Sequence, residues 1–262
     1  MTNSRDKHET VPFPVIRLPA IDIMRQTRRM HTVHGLMEAD VTRARQLIRE
    51  NKAKTGEPLS FTAFLTACLA RAVDENKYLQ AYRKGNKLVL FDDVDVCVIM
   101  ERELGGHKAP VFPHVIRATN KKTISEIHEE IRAAQRNEAE KSGREKEIQR
   151  YALMPRFIRR LFWKMILGNP YRRKKVLGTV GISAVGMFVK GAGWGIPIPA
   201  CTLTITVGGI AEKPGVVQGR IDIREYLSIT ITIDHDIIDG VPAAQFTKRF
   251  TELIEQGYGL RD

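Results

Sequence analysis

Apolar residues recur along the chain at two spacings, and the change from one to the other marks its elements. Alternation at period two is clearest at 228–234, where Ile229, Ile231 and Ile233 alternate with Thr230, Thr232 and Asp234, which predicts a strand. A few residues on, Phe246, Phe250, Leu253 and Ile254 fall at three- and four-residue steps, the stripe of a helix packed on one face. The break between strand and helix holds His235, Asp236, Asp239 and Gly240.

The rest of the chain reads in the same way. Residues 35–40 predict a strand and Asp40-Val-Thr42 the start of a helix, with Ala44, Leu47 and Ile48 inward and Arg43, Arg45 and Arg49 on the wet side. Ser60 is a good N-cap for 61–73, a segment apolar nearly all round and therefore a buried helix. Residues 82–90 predict a hairpin turning at Gly85-Asn86, 93–100 a strand carrying Cys97, and 114–117 a short extended piece. Thr123 and Glu126 have capping-box spacing ahead of a helix through Ile127 and Ile131. Strands follow at 179–183, 202–207 and 224–233, separated by loops rich in Gly and Pro, notably 186–199. Helices dominate the first half and strands the second, and no linker divides the chain. The expectation is one α+β domain over 20–262 behind a polar tail at 1–19.

Residues 137–175 differ from the rest. A charge-dense portion at 137–150 leads into 151–168, where the apolar pairs 153/154, 157/158, 161/162 and 165/166 repeat every four residues. Arg156, Arg159, Arg160 and Lys164 fall between them, so a basic amphipathic helix is predicted, stopped by Gly168-Asn-Pro170. Its stripe either packs on its own domain or a sister subunit, or the Leu153–Leu167 helix lies on a membrane surface or docks a partner.

Composition narrows the class. The 262 residues suffice for a full core, and 43% apolar with 27% charged residues is a globular balance. Cys68, Cys97 and Cys201 stand in apolar surroundings without metal-type spacing, so no metal site is expected and a reducing compartment is. No apolar run has the form of a signal peptide or the length of a membrane span, which points to the cytoplasm. The net charge of +12 attracts an anionic partner. Without finger spacings, a ribonucleoprotein-type aromatic motif or an evident helix-turn-helix, that partner is read as an acidic small molecule and not nucleic acid.

A histidine closing a buried strand, with a carboxylate four residues on, is a common way to hold a general base; a solvated strand-to-helix turn looks similar. Several further motifs in order bear on this choice. Asp234-His-Asp-Ile-Ile-Asp-Gly-Val241 is similar to the Asp-His-Arg-x-x-Asp-Gly-Ala signature of the catalytic domain of the dihydrolipoamide acyltransferases, the core components of 2-oxo acid dehydrogenase complexes. Gly178 to Phe188 is similar to that family's Gly-Thr-Phe-Thr-Ile-Ser-Asn-Leu-Gly-Met-Phe strand, and 60–72, 93–100 and 113–127 also have counterparts. The resemblance covers roughly 20–257.

The resemblance implies a chloramphenicol acetyltransferase-like mixed sheet flanked by helices, forming a homotrimer or trimer-based assembly. His235 is then the base that deprotonates the thiol of coenzyme A or a dihydrolipoyl group. Ser183 donates to the oxyanion, and Asp239 holds the loop through Arg25, which sits in a Met-Arg-Gln-Thr match to the family's Met-Arg-Lys-Thr. In the family the site is a channel between subunits, so His235 and Ser183 are expected to meet across an interface. Five departures stand out: Asp236 replaces the usual arginine, no lipoyl-bearing or peripheral-subunit-binding domain precedes the catalytic part, 137–175 is longer than its counterpart, the N-terminal helix region around Arg28 to His34 is shortened, and Gly193-Trp-Gly-Ile-Pro197 replaces the usual loop. The expected function is a stand-alone, coenzyme A-dependent acyltransferase acting between a thioester and a thiol or other small acceptor. Two alternatives remain: a dihydrolipoamide acyltransferase served by a lipoyl domain on another chain, or a non-catalytic scaffold that binds a membrane or partner.

Overall fold

The computed structural model describes residues 8–104, 107–136, 138–184 and 191–261. A 3-10 turn at Val15–Arg17 leads into α1 (Leu18–Thr27), followed by β1 (Thr32–Asp40), α2 (Thr42–Thr55) and α3 (Phe61–Asp74). A small hairpin of β2 (Tyr82–Lys84) and β3 (Lys87–Val89) precedes β4 (Val96–Leu104) and β5 (His107–Ile116). Four helices come next: α4 (Ile124–Arg136), α5 (Glu138–Leu153), α6 (Arg156–Leu167) and α7 (Pro170–Leu177). The chain closes with β6 (Val180–Ala184), β7 (Leu203–Val217), β8 (Arg220–Asp234) and α8 (Gly240–Gln256). The main sheet has the order β1-β8-β7-β6-β4-β5. β6 is parallel to both neighbours and the other pairs are antiparallel, so the sheet is mixed and the domain α+β, as expected.

The local signals operate as read. Ser60 Oγ accepts from the Ala63 N–H at 3.4 Å, and Thr123 and Glu126 bond reciprocally as a capping box. Asp40 Oδ1 accepts from the Thr42 backbone and hydroxyl, which starts α2 one residue outside the formal cap. The period-two pattern gives the sheet two faces of different chemistry. Ile182, Ile205, Ile229 and Ile231 share the core with Phe64 and Leu69 of α3 and Phe250 of α8. Thr204, Thr206, Thr230 and Thr232, on the other face, are also buried.

The register turns on one close approach. Gly178, between α7 and β6, has φ +71°, and a Cβ there would meet the Asp95 carbonyl at 2.5 Å. Asp95 is buried; its side chain takes Arg117 at 2.8 Å and the Ala118 N–H at 3.0 Å, and its carbonyl takes the Thr179 N–H at 2.7 Å. Arg117 also donates to the carbonyls of Lys174 and Lys175, closing the C-terminus of α7. A second approach lies over β7: Gly209 donates to the Gly193 carbonyl at 3.1 Å, and Trp194 Nε1 reaches the Met37 carbonyl at 3.0 Å. A Cβ on Gly208 would stand 2.0 Å from that Gly193 oxygen, so the glycine pair is what admits the 193–197 loop onto the strand.

Three expectations need correction. β7 and β8 continue well past the segments read as strands, through a turn at Gln218-Gly219 with φ of 50° and 77°, the positive-φ pair of a type I′ hairpin. In the tip of this ribbon Val216, Ile221 and Ile223 are exposed. Next, Asn169-Pro170 is both a stop and a start: Asn169 Oδ1 accepts from Tyr171 and Arg172, and α7 follows. Finally, the basic helix begins at Arg156 because Pro155 separates it from α5. Its inward face is Arg159, Trp163 and Ile166, so of the repeated apolar pairs on this helix only Ile166 turns inward; Phe157, Leu161 and Met165 are exposed. Trp163 Nε1 donates to Tyr151 Oη at 2.8 Å, which donates to buried Asp22 at 2.7 Å, with Arg159 Nε 3.3 Å from the same carboxylate. Burial, and then the Asp22 carboxylate, push the Tyr151 phenol up and keep it a donor.

Gly178→Ala combines a positive φ with a backbone clash. It is expected to lower stability by about 1–3 kcal/mol, read as a shifted denaturation midpoint, whereas Gly191→Ala, where a Cβ meets open space, should cost less.

Candidate active site

His235 sits where β8 ends and the turn into α8 begins. Its backbone N–H donates to the His31 carbonyl at 2.8 Å, continuing the ladder in which Asp234 lies opposite Thr32. The imidazole is half exposed, and Nδ1 stands 4.0 Å from Asp239 Oδ1. That separation is within ion-pair range and beyond the 2.6–3.2 Å or so of a hydrogen bond, a gap that catalytic groups commonly show before substrate binds. Asp239 precedes the first turn of α8, where a carboxylate is favoured by the helix dipole, and its side chain is 87% exposed. The expected Arg25–Asp239 pair does not form within the chain: Arg25 Nη1 lies 3.3 Å from Asp22.

Asp236, the residue that departs from the family signature, has a partner. Its Oδ1 is 2.9 Å from His31 Nδ1, while its backbone N–H donates to Asp234 Oδ1 at 3.2 Å. The carboxylate is thus turned to the second imidazole of the turn. Its hydrogen bond and charge raise the His31 pKa above the ordinary value of about 6.5. Asp234 is buried, and that burial raises its carboxyl pKa. His31 was not singled out in the sequence; its signal is positional, one residue ahead of the strand that pairs with β8.

Ser183 lies on β6, nearly buried, on the hydroxyl face of the sheet. It is level with Thr206 and Thr230, whose hydroxyls, with that of Thr204, are buried without a hydrogen-bond partner among the described residues. Buried hydroxyls usually have a partner, in protein, ordered water or a ligand. Sequence periodicity placed these threonines opposite the isoleucines but could not show that their face is closed to water. Part of the motif that brought out Ser183, 185–188, lies outside the described residues.

Ser183 and His235 are far apart in one chain. Ile233 is level with Leu203 and Val180; His235 is two residues beyond it and Ser183 three residues the other way. At about 3.3 Å per residue and 4.8 Å per strand, that is roughly 16 Å along the sheet and 10 Å across it. No thiol of the chain offers an alternative nucleophile: Cys68, Cys97 and Cys201 are buried, and burial pushes each pKa up. Among the described residues no cluster of His, Cys, Asp and Glu is placed to hold a metal ion.

The mixed six-stranded sheet flanked by helices is the fold of acyltransferase catalytic cores. The chain belongs to the family of 2-oxoacid dehydrogenases acyltransferase (catalytic domain), which it matches over 5–152 and 176–260. It is 23% identical over 225 residues to the lipoamide acyltransferase component of the branched-chain alpha-keto acid dehydrogenase complex of Bacillus subtilis, covering 84% of this chain and 46% of that protein. The chain therefore spans about half the length of this relative. Among solved structures it is similar to the cubic core of the pyruvate dehydrogenase multienzyme complex, with a TM-score of 0.72, 19% identity and coverage of 98% and 96%. It is similar to the same extent to the Azotobacter vinelandii dihydrolipoamide acetyltransferase, in which a serine, a histidine and an asparagine were investigated for their role in the catalytic mechanism.

The His31–Asp236 pair has a defined pH sense. A raised imidazole pKa means the pair supports the turn below the unfolded value of about 6.5 and is lost as pH rises through the higher folded value. In Asp236→Asn the His31 titration, followed by NMR, is expected to move down toward that ordinary value; an unchanged titration would show that Asp236 does not act on it.

Proposed function

We propose that the protein catalyses acyl transfer between a coenzyme A thioester and a thiol, with His235 as general base and Ser183 as oxyanion donor. One observation carries this reading. In the Azotobacter vinelandii enzyme the serine, the histidine and the asparagine stand the same distances apart in sequence as Ser183, His235 and Asp239 do here. His235 accepts the thiol proton; a thiol with a pKa of about 8.5 suits an imidazole base. The thiolate sulfur attacks the thioester carbon, and the carbonyl electron pair moves onto oxygen, which Ser183 meets with its hydroxyl hydrogen. Collapse of the tetrahedral intermediate breaks the original carbon–sulfur bond, and the departing thiolate takes the proton back from the imidazolium. Asp239, four residues from the base, positions the turn.

The separation of His235 from Ser183 in one chain supports a site shared between copies, and the cubic core to which the chain is similar supports a trimer-based assembly. The second reading, a dihydrolipoyl acceptor carried on another polypeptide, is supported by the Bacillus subtilis relative's place in a dehydrogenase complex. Three buried free cysteines support a cytoplasmic setting. No described helix is long and apolar enough to cross a membrane, and the outward stripe of α6 supports docking onto a membrane surface.

With acetyl-CoA and dihydrolipoamide, His235→Ala is expected to lose about 10²–10⁴-fold in turnover and Ser183→Ala about 10²–10³-fold. Wild-type protein inactive with every acyl-CoA and thiol tried would end the proposal. Co-expression of the two inactive variants tests the shared site. Mixed oligomers are expected to recover about a quarter of wild-type activity, since one interface in four then joins an intact histidine to an intact serine; no recovery would place both groups in one chain.

A further inference from the structure

The cleft between α1 and α6 holds a concentration of cationic side chains that the acyl-transfer reading does not use. It encloses about 390 Å³ and is lined by Arg25, Arg29, Arg156 and Arg160, with Asp22 at its back and Phe157 on its rim. Asp22 is already committed, to Tyr151 at 2.7 Å, Arg159 at 3.3 Å and Arg25 at 3.3 Å. Arg29, Arg156 and Arg160 have no carboxylate partner among the described residues. Several guanidinium groups converging on one cleft repel one another unless an anion sits between them, and a phosphate oxygen cluster is the geometry they match.

The surroundings indicate which phosphate. At 100° per residue, Arg156, Arg160 and Lys164 form one row along α6, bordered on its outer side by Phe157, Leu161, Met165, Ile158 and Phe162, all exposed. Opposite that apolar sector the helix is fixed to the domain by Arg159, Trp163 and Ile166, so the stripe cannot turn inward. An apolar sector edged by cations is the arrangement of a helix lying in a bilayer interface, its apolar side chains among acyl chains and its cations at the headgroups. The family match omits 153–175, so the substrate chemistry common to the family does not depend on α6. A two-fold contact with a second copy of this chain would set the same positive surface against itself.

We infer that the α1–α6 cleft takes the phosphate headgroup of an anionic phospholipid while Phe157 and Leu161 insert beside it. The site docks the acyltransferase on an anionic membrane surface. The inference rests on the membrane reading of α6 and goes beyond it by assigning the headgroup site.

Flotation with vesicles of pure phosphatidylcholine and of phosphatidylcholine containing phosphatidylglycerol or phosphatidic acid tests it. Binding is expected only to the anionic vesicles and to weaken as salt rises. Arg156→Gln and Arg160→Gln are each expected to weaken it about five-fold, and Leu161→Asp to abolish it. Both residues changed to Gln lie outside the catalytic turn, so their acyl-transfer rates and melting temperatures should match wild type. Flotation on anionic vesicles that both arginine variants leave unchanged would overturn the headgroup site while sparing membrane docking. No flotation on any vesicle would overturn both, and dissociation of the oligomer by Leu161→Asp would then assign the stripe to a second copy. A raised KM for coenzyme A in the arginine variants, with flotation intact, would assign the cleft to the nucleotide phosphates. Flotation competed away by millimolar inorganic phosphate but indifferent to lipid composition would identify a soluble phosphate site.

Discussion

The contact of Gly178 with Asp95 is the constraint on which the rest of the sheet depends. β6 is short, lies between two parallel neighbours, and has no hairpin to set its register. What sets it is the backbone at 178–180 lying against the start of β4, an approach open only to a residue without Cβ. One buried carboxylate ties the β4 entry, the turn after β5 and, through Arg117, the end of α7 to that point. A shift by one residue there would exchange the faces of β6, moving Ile182 out of the core and Ser183 into it. The catalytic proposal is therefore tied to a packing detail remote from any reacting atom.

The two faces of the sheet divide the work. The isoleucine face supplies the burial that stabilises the domain, at about 25 cal/mol per Å² of apolar surface removed from water. The threonine face is buried as well, and the hydroxyls of Thr204, Thr206 and Thr230 lie on it beside Ser183. With His235 and Ser183 on different strands and at different levels, the proposed mechanism needs a histidine and a serine from two copies of the chain. Oligomerisation in this reading completes the chemistry as well as the surface.

Local signals were legible in the sequence and distant ones were not. The Ser60 cap, the Thr123–Glu126 box and the turn at Gly85 were readable because each depends on residues within one or two turns. The outer half of β7 was not, since Gly208-Gly209 and Pro214-Gly215 resemble loop, whereas the glycines answer to a loop crossing from 193 and the proline sits on a strand edge with no partner to lose. Amphipathic spacing identified the α6 stripe but not its direction, because the deciding contact is with Asp22, far upstream. Of the site, His235, Ser183 and Asp239 came from motif resemblance. The partner of Asp236 did not, because His31 lies at the other end of the chain.

The long β7–β8 ribbon has a cost of its own. Past Tyr226 β8 has no pairing with β1, and past Val207 β7 has none with β6, so among the described residues the tip presents two free edges and four exposed aliphatic side chains at Val216, Val217, Ile221 and Ile223. Free edges of that kind recruit further strands and are a usual origin of aggregation. Arg220, Asp222 and Arg224 alternate with the isoleucines, so a ribbon added out of place would bring charge against charge. The tip thus carries charge beside its exposed aliphatic residues, and Arg224 in addition ties the base of the ribbon to Asp40 of β1.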